Sequence, residues 1–510
     1  QTLEGKQSKL PASTSCRSMD ISTVSIRPST IIGPRAADST SLRPGYPDWV
    51  LLNKTARISD QRNATTALCR TREGQAVAVS FWLVDPPAVS YFSVHCPGLE
   101  DDDFSDTPPF LLCAEGAFVV FCVTLDDSVH HFVYSARGIP GGKPSLHRLP
   151  DPKPKVEAFM SQQFGLLPYG NEHYAVAFLH HQWESSDQAW HYYAYIFSSE
   201  TKTWKRSKEA LLYLSKSDQL LFDRHASSKQ ITVGESSLGW VDLLRGILLL
   251  SNLFDDRPVI TYIPLPKVKA CITDRNGYPS YAPEFFCDIT CCHDLIKFVE
   301  IKFDEPNCRA NGKAWKATTW NRKVSWDDWG RCSTADVAEI SVDPSYLSLL
   351  PELLNDETKQ LEIKNLYFLN PTLSVDDDDL LYMMGKVNEE DDTAWVVVVD
   401  MKRAALEALV PVSTQPSYAV TMYCPCTFPK YYLNTTPDIG SPVEKDKSDK
   451  WPQGRPSPNN SGGSVQRKRR KKKKQARAAD CWLEQPYLLY FVGCVLIAIF
   501  VKVFFHLCGM

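Results

Sequence analysis

Three observations on the sequence predict an all-β, propeller-like architecture of about six degenerate blades. Short runs rich in Val, Ile, Leu and aromatic residues recur at intervals of roughly 8 to 15 residues, from about residue 46 to 428. One hairpin shape returns: a strand (192–197), a polar turn (198–202), then at once an aromatic residue, Trp204. At 510 residues the chain exceeds one ordinary core but suits a closed β architecture, at roughly 45 to 65 residues per blade.

The elements follow in order. Trp49 opens an apolar run at 49–53, residues 65–69 lead to a turn through Gly74, and 76–84 is a strand that Asp85, Pro86 and Pro87 end. Residues 90–95, 110–114, 117–125 and 129–134 continue the series, with Glu115-Gly116 and Asp126-Asp127 as turns. The stretch 238–250 is almost continuously apolar and is expected to be one strand buried on both faces. A polar turn at 252–257 leads into a second strand at 259–263, stopped by Pro264 and Pro266. Asp242 and Arg245 are the charges inside this hairpin, and buried charges persist when they are paired. Residues 208–214 are expected to form one or two helical turns, and 346–354 a helix begun by Pro344. An acidic turn at 376–379 precedes a strand at 380–387, and the hairpin shape recurs at 395–409 and, loosely, from 298 to Trp315.

The ends differ from this body. Residues 1–45 are rich in Ser, Thr, Arg and Pro with few acids, and read as a disordered segment or an organelle transit segment. Residues 429–480 form a linker ending in a basic run of Arg467, Lys468, Arg469, Arg470, Lys471, Lys472, Lys473 and Lys474. Residues 487–505 are almost wholly apolar and, at about 1.5 Å per residue, just long enough to cross a hydrocarbon core, which places a transmembrane helix within 483–507. Positive charge on its N-terminal side predicts a tail anchor with the bulk of the chain cytosolic, at the endoplasmic reticulum or nuclear envelope. The expected partners are that membrane, an unidentified protein, and anionic lipid at the basic run. Nucleic acid is disfavoured because no interleaved aromatic residues accompany the run.

Catalytic signatures are missing. There is no G-x-S-x-G elbow and no H-E-x-x-H, and the glycine-rich 138–143 has Pro144 where a phosphate-binding loop needs Ser or Thr. No cofactor is expected. Sixteen scattered cysteines point to reduced thiols rather than a disulfide framework. Cys287, Cys291, Cys292 and His293 cluster, with Cys424-Pro425-Cys426 far away, but the spacing is poor for zinc. Neighbouring strand residues point to opposite faces, so neither His130-His131 nor His180-His181 converges on one metal. The expected function is a membrane-anchored protein-interaction module. Its rivals are a propeller hydrolase, with Asp85, Asp242 and Asp400 as the acids to inspect, and nucleic-acid or anionic-lipid binding through the basic run. Sequons at Asn53, Asn63, Asn434 and Asn459 test topology rather than function.

Several stretches carry a family likeness. Residues 47–53, 63–67 and 84–90, and above all 238–243 with Gly239, Trp240 and Asp242, Arg245 and Gly246, and 262–266 with Pro264, resemble the plant family known as domain of unknown function 1618. The resemblance covers roughly residues 46–428. It implies those six residues as a structural signature and carries over no catalytic or binding residue. The hairpin shape is also similar to kelch-like and F-box-associated propellers, at the level of fold alone.

Overall fold

Strands with apolar residues on both faces need a packed neighbour on each side, and a ring of six sheets supplies it. The computed structural model describes residues 45–432 apart from short internal stretches, the longest being 153–162, 267–282, 304–314, 354–362 and 414–422. Blade 1 contains β1 (Val50–Asn53), β2 (Arg57–Ile58), β3 (Ala67–Arg70), β4 (Ala76–Trp82) and β5 (Val89–His95). Blade 2 is β6 (Phe110–Glu115), β7 (Phe118–Leu125), β8 (Ser128–Ser135) and β9 (Ser145–Arg148). Blade 3 is β10 (Gly165–Tyr169), β11 (His173–Glu184), β12 (Ala189–Ser198) and β13 (Thr203–Arg206). Then come β14 (Leu211–Tyr213), the short helix α1 (Lys216–Phe222), and β15 (Lys229–Val233), β16 (Ser237–Asp242), β17 (Gly246–Ser251) and β18 (Val259–Pro264), which with β14 build blade 4. Blade 5 is β19 (Cys287–Cys292), β20 (Leu295–Phe303), β21 (Trp315–Lys323) and β22 (Gly330–Asp336). Blade 6 is β23 (Tyr367–Leu373), β24 (Leu380–Lys386), β25 (Thr393–Asp400) and β26 (Ala405–Ser413). The last strand, β27 (Tyr423–Cys426), returns to blade 1 and pairs antiparallel with β1, Leu52 facing Cys424.

The six cores lie between blades, one per interface. Along β7, Val119, Phe121 and Val123 pack towards blade 1, whereas Phe118 and Val120 pack towards blade 3. The same alternation joins blades 3 and 4, 4 and 5, and 5 and 6, and blade 6 meets blade 1 through Tyr382, Val396, Val398, Leu51 and Tyr423. The ring therefore closes through the first and last described strands. Phe428, fully buried beyond β27, sets its ring 5.0 Å from that of Phe81, and the Tyr134 hydroxyl meets Tyr432 at 2.7 Å and donates to the Thr65 carbonyl at 2.7 Å.

Several expectations are corrected. The run 238–250 is two strands rather than one, because Asp242 caps a turn at Leu243-Leu244-Arg245: its carboxylate accepts the Leu244 N–H and the Arg245 guanidinium, each at 2.9 Å. An apolar turn hid the break. Within 208–214 the structure has strand β14, and the helix begins at Lys216, where the Ser215 hydroxyl accepts the Asp218 N–H. The helix expected at 346–354 is a short 3-10 turn, Pro344–Ser348.

The membrane reading is corrected as well. No helix among the described residues is long and apolar enough to cross a membrane. The segment expected to span (487–505), the basic run Arg467 to Lys474, the N-terminal 1–44 and the linker from 433 onward lie outside the described residues. The described structure gives no support to the single C-terminal span, the endoplasmic reticulum or nuclear-envelope location, the membrane-anchored module, or the membrane, protein and lipid partners expected with it.

Candidate functional site

In each blade one strand faces the axis: β27, β6, β10, β15, β19 and β23 neighbour one another in a closed ring. Charged and thiol side chains at this ring converge. Lys54 follows β1 directly; its carbonyl accepts the Leu111 N–H at 2.7 Å, which fixes the residue against the start of β6. Its ammonium sits 5.1 Å from the centre of the Phe110 ring and forms no ion pair among the described residues. Desolvation lowers the pKa of this ammonium, Cys424, Cys113 and Glu284 pull it back up, and Lys229 pushes it down.

Lys229 opens β15 and binds the Asp288 carboxylate of β19 at 2.7 Å; the other oxygen of Asp288 accepts the Leu373 N–H of β23 at 2.9 Å. One ion pair thus ties three inner strands. Two further carboxyls are held towards their neutral forms by desolvation. Glu115 ends β6, where the Gly116 N–H, Lys430 and Thr232 offset part of the effect. Glu284 precedes β19, where its own N–H, Ser228 and Lys54 do the same and Asp242 adds to the rise. Burial raises the Cys291 thiol on β19, and the charge of Glu115, on the inner strand of blade 2, adds to the rise.

The thiols divide. Burial pushes Cys113 up, with its sulfur donating to the Phe164 carbonyl at 3.3 Å, and pushes Cys96 and Cys291 up to about 12. Cys424 moves the other way, to about 7, through the neighbouring Cys426 thiol and the positive charge of Lys54 and Lys229, against burial; its sulfur lies 3.9 Å from the Pro425 carbonyl oxygen. Among the described residues the ring therefore offers one ammonium without an ion-paired carboxylate, one paired ammonium, two carboxyls whose pKa burial raises and one thiol whose pKa is lowered.

The residues singled out in sequence stand elsewhere and hold blade 4 together. A Cβ on Gly239 would sit 2.9 Å from both Ile231 and Ile247, and one on Gly246 would sit 2.6 Å from the Ile263 carbonyl oxygen, so neither position takes a larger residue without movement. The Trp240 indole donates to the Gln163 carbonyl of the approach to blade 3 at 2.7 Å, and the Pro264 carbonyl accepts the Trp329 indole of blade 5 at 2.8 Å. Asp242 is 2 % exposed and takes the Ala226 N–H and Arg245 on one oxygen and the Leu244 N–H on the other.

The expected hydrolase is corrected by the same geometry. Asp242 and Asp400 each cap a hairpin turn and bind the arginine three residues on, and the Asp85 carbonyl accepts the Ala88 N–H of the turn after β4. They do not meet at one channel mouth. No group of three or more His, Cys, Asp or Glu among the described residues is placed to hold a metal; His293 is outside them. His130 approaches Glu73 at 3.4 Å while His131 packs beside Phe164, on opposite faces of β8. Sequence reasoning noticed Cys424 and Cys426 only as weak zinc ligands, and missed Lys54, Lys229, Glu284 and Asp288. The available signal was a lone charge beside an apolar run, as at Lys54 after 49–53.

A family model described as a protein of unknown function (DUF1618) matches residues 240–382, less than half of the chain and narrower than the expected 46–428. No curated protein matches the sequence. Among solved structures, the AtxE2 isopeptidase is 8 % identical at a TM-score of 0.23, covering 72 % of this chain and 54 % of its own, so the chain spans about half that enzyme's length. Kuenenia stuttgartiensis hydrazine synthase is 11 % identical at 0.29, covering 71 % and 90 %. The β-propeller domain of the Trilobed protease from Pyrococcus furiosus is 10 % identical at 0.26, covering 60 % and 86 %. Likenesses this distant say nothing of activity, and the blade count rests on the strand pairing.

Proposed function

We propose that this propeller is a binding protein for a small anion-bearing ligand, held in the axial passage with its charge against Lys54. One observation carries the reading: a desolvated ammonium at the ring of inner strands with no carboxylate bound to it among the described residues. A charge in such a place is costly unless it is paired, and a bound carboxylate or phosphate would pair it. Lys229 adds field of the same sign while its own charge is matched by Asp288. Glu115 and Glu284 border the same ring, each with its carboxyl pKa raised by desolvation. In this reading the propeller at 46–428 is the functional unit, and Gly239, Trp240, Asp242, Arg245, Gly246 and Pro264 act as its blade-4 scaffold.

Thermal unfolding of the full chain with citrate or inorganic phosphate tests this. Saturable binding raises stability by about 2.7 kcal/mol at a hundredfold excess over Kd. Lys54→Met, which keeps the stem and removes the charge, is expected to abolish the rise. A rise of equal size in both proteins would place the anion elsewhere and overturn the reading, as would the lack of any rise with either anion.

A further inference from the structure

Each blade ends in one outer strand, and five of the six carry charge there: Arg70 on β3, Arg148 on β9, Lys205 and Arg206 on β13, Arg331 on β22 and Glu407 on β26. A charge at a sheet edge discourages pairing with a second chain. The exception is β14, Leu211-Leu212-Tyr213, which blade 4 adds outside the four strands β15 to β18. It lies in a stretch, 210–214, without a charge. We infer that β14 is a self-association edge, on which a second copy of this chain docks through its own β14, antiparallel, about a two-fold axis at Leu212.

The backbone sets this register. β14 runs parallel to β18, with Leu211 opposite Val259 and Tyr213 opposite Thr261. The Leu211 N–H donates towards blade 4, to the Pro258 carbonyl at 2.9 Å. Successive residues of a strand turn their N–H and C=O groups to opposite sides, so those of Leu212 face away from β18. Neither group has a hydrogen-bond partner among the described residues. Ala210 still leans on blade 3, its N–H donating to the Tyr192 carbonyl at 2.8 Å; beyond it the edge is open. Leu212 is 41 % exposed and Tyr213 63 %, and Leu220 on α1, the next element, is exposed as well. In an antiparallel pair centred on Leu212 the two copies exchange both N–H···O=C bonds at that residue, which satisfies the open groups of each. Leu211 of one copy then faces Tyr213 of the other across the axis.

Charge decides for a second copy over a foreign strand. On a two-fold axis a residue stands opposite itself, so a charge there meets its like, which is destabilising. A foreign strand imposes no such condition and is met as well by a charged edge of opposite sign. Among the outer strands β14 alone meets the condition that self-pairing sets. With three residues the contact is weak, so association follows concentration. β14 and the inner strand β15 lie at opposite ends of blade 4, so the contact leaves the ring of inner strands uncovered and does not depend on the anion reading.

Sedimentation velocity of the full chain over about 1 to 200 μM tests this. The expected result is a shift from the mass of one chain to twice that mass as concentration rises. Leu212→Lys and Leu212→Glu each set like charges against one another and should hold the protein at the mass of one chain, with thermal unfolding unchanged. Either variant alone separates the outcomes. Mixed in equal amounts, the two bring opposite charges together at the axis and should restore the dimer, which a merely structural role of Leu212 would not do. A charge on another edge, Cys332→Lys on β22, should leave association as it is. The inference is overturned if the full chain stays monomeric throughout or forms species larger than two copies. It is overturned equally if either charged variant associates like the unaltered chain, or if the mixture does not recover the dimer.

Discussion

Two aspartates that each cap a turn and bind the arginine three residues on show how burial sets the energy of a cap. Asp242 accepts the Leu244 N–H of its turn and the Ala226 N–H from outside it, and Asp400 accepts the Lys402 and Arg403 N–H groups of its turn. Arg245 is 19 % exposed beside an Asp242 side chain that is 3 % exposed, whereas Arg403 is 65 % exposed. Water replaces the partner when an exposed pair is broken, and it does so poorly when the pair is buried. Asp242→Ala is expected to cost about 3–5 kcal/mol in urea unfolding, and Asp400→Ala about 1 kcal/mol. Equal losses would show that the Asp242 turn opens to solvent in the folded state. The Asp242 cap was half legible: the sequence marks a buried charge that needs a partner three residues away, but its apolar neighbours conceal the turn.

At the scale of elements, the closing strand is short, yet the closure of the ring depends on it. β27 has four residues, and it completes blade 1 and lines the axis. Its hold is reinforced by the Phe428–Tyr431 turn, whose Phe428 packs among Phe81, Tyr134 and Tyr432. Phe428→Ala removes a fully buried ring, at a cost of about 3–5 kcal/mol. Hydrogen exchange should then show β1 and β27 losing protection together while β20 and β21 of blade 5 keep theirs. Uniform loss over all blades would mean that the ring opens only as a whole.

At the scale of the whole molecule, two half-buried histidines in different blades shape the acid limit of stability. Desolvation lowers His131, on β8, and His225, before β15, to about 4. The His131 Nε2 has no hydrogen-bond partner among the described residues. As pH falls below the usual histidine value, the unfolded chain takes up these protons first, so stability rises with pH from about 4 to 6.5 and is lost on acidification through that window. Each group contributes of order 2 kcal/mol after allowance for partial exposure. His131→Phe should flatten the slope of urea midpoint against pH in that window by roughly half, with little change at pH 7.5. An unchanged slope would show that carboxylates, not these imidazoles, set the acid limit.

The sequence by itself determined most of the strands and the propeller class, while in blade 4 it ran β16 and β17 into one strand. Side-chain alternation and turn chemistry are local, and a propeller repeats one local unit. The family resemblance drew attention to Gly239, Trp240, Asp242, Arg245, Gly246 and Pro264, and their packing and hydrogen bonds within blade 4 come from the structure. Only the tertiary structure decided the candidate site. Lys54, Glu115, Lys229, Glu284, Asp288 and Cys424 come from the margins of different blades, separated by up to most of the described chain, and they meet because β27 closes the ring. A period of two says which face a side chain takes, and it cannot say what stands across the axis. The low dielectric of that enclosed ring then gives a lone lysine and an ordinary thiol properties that neither has in an isolated strand.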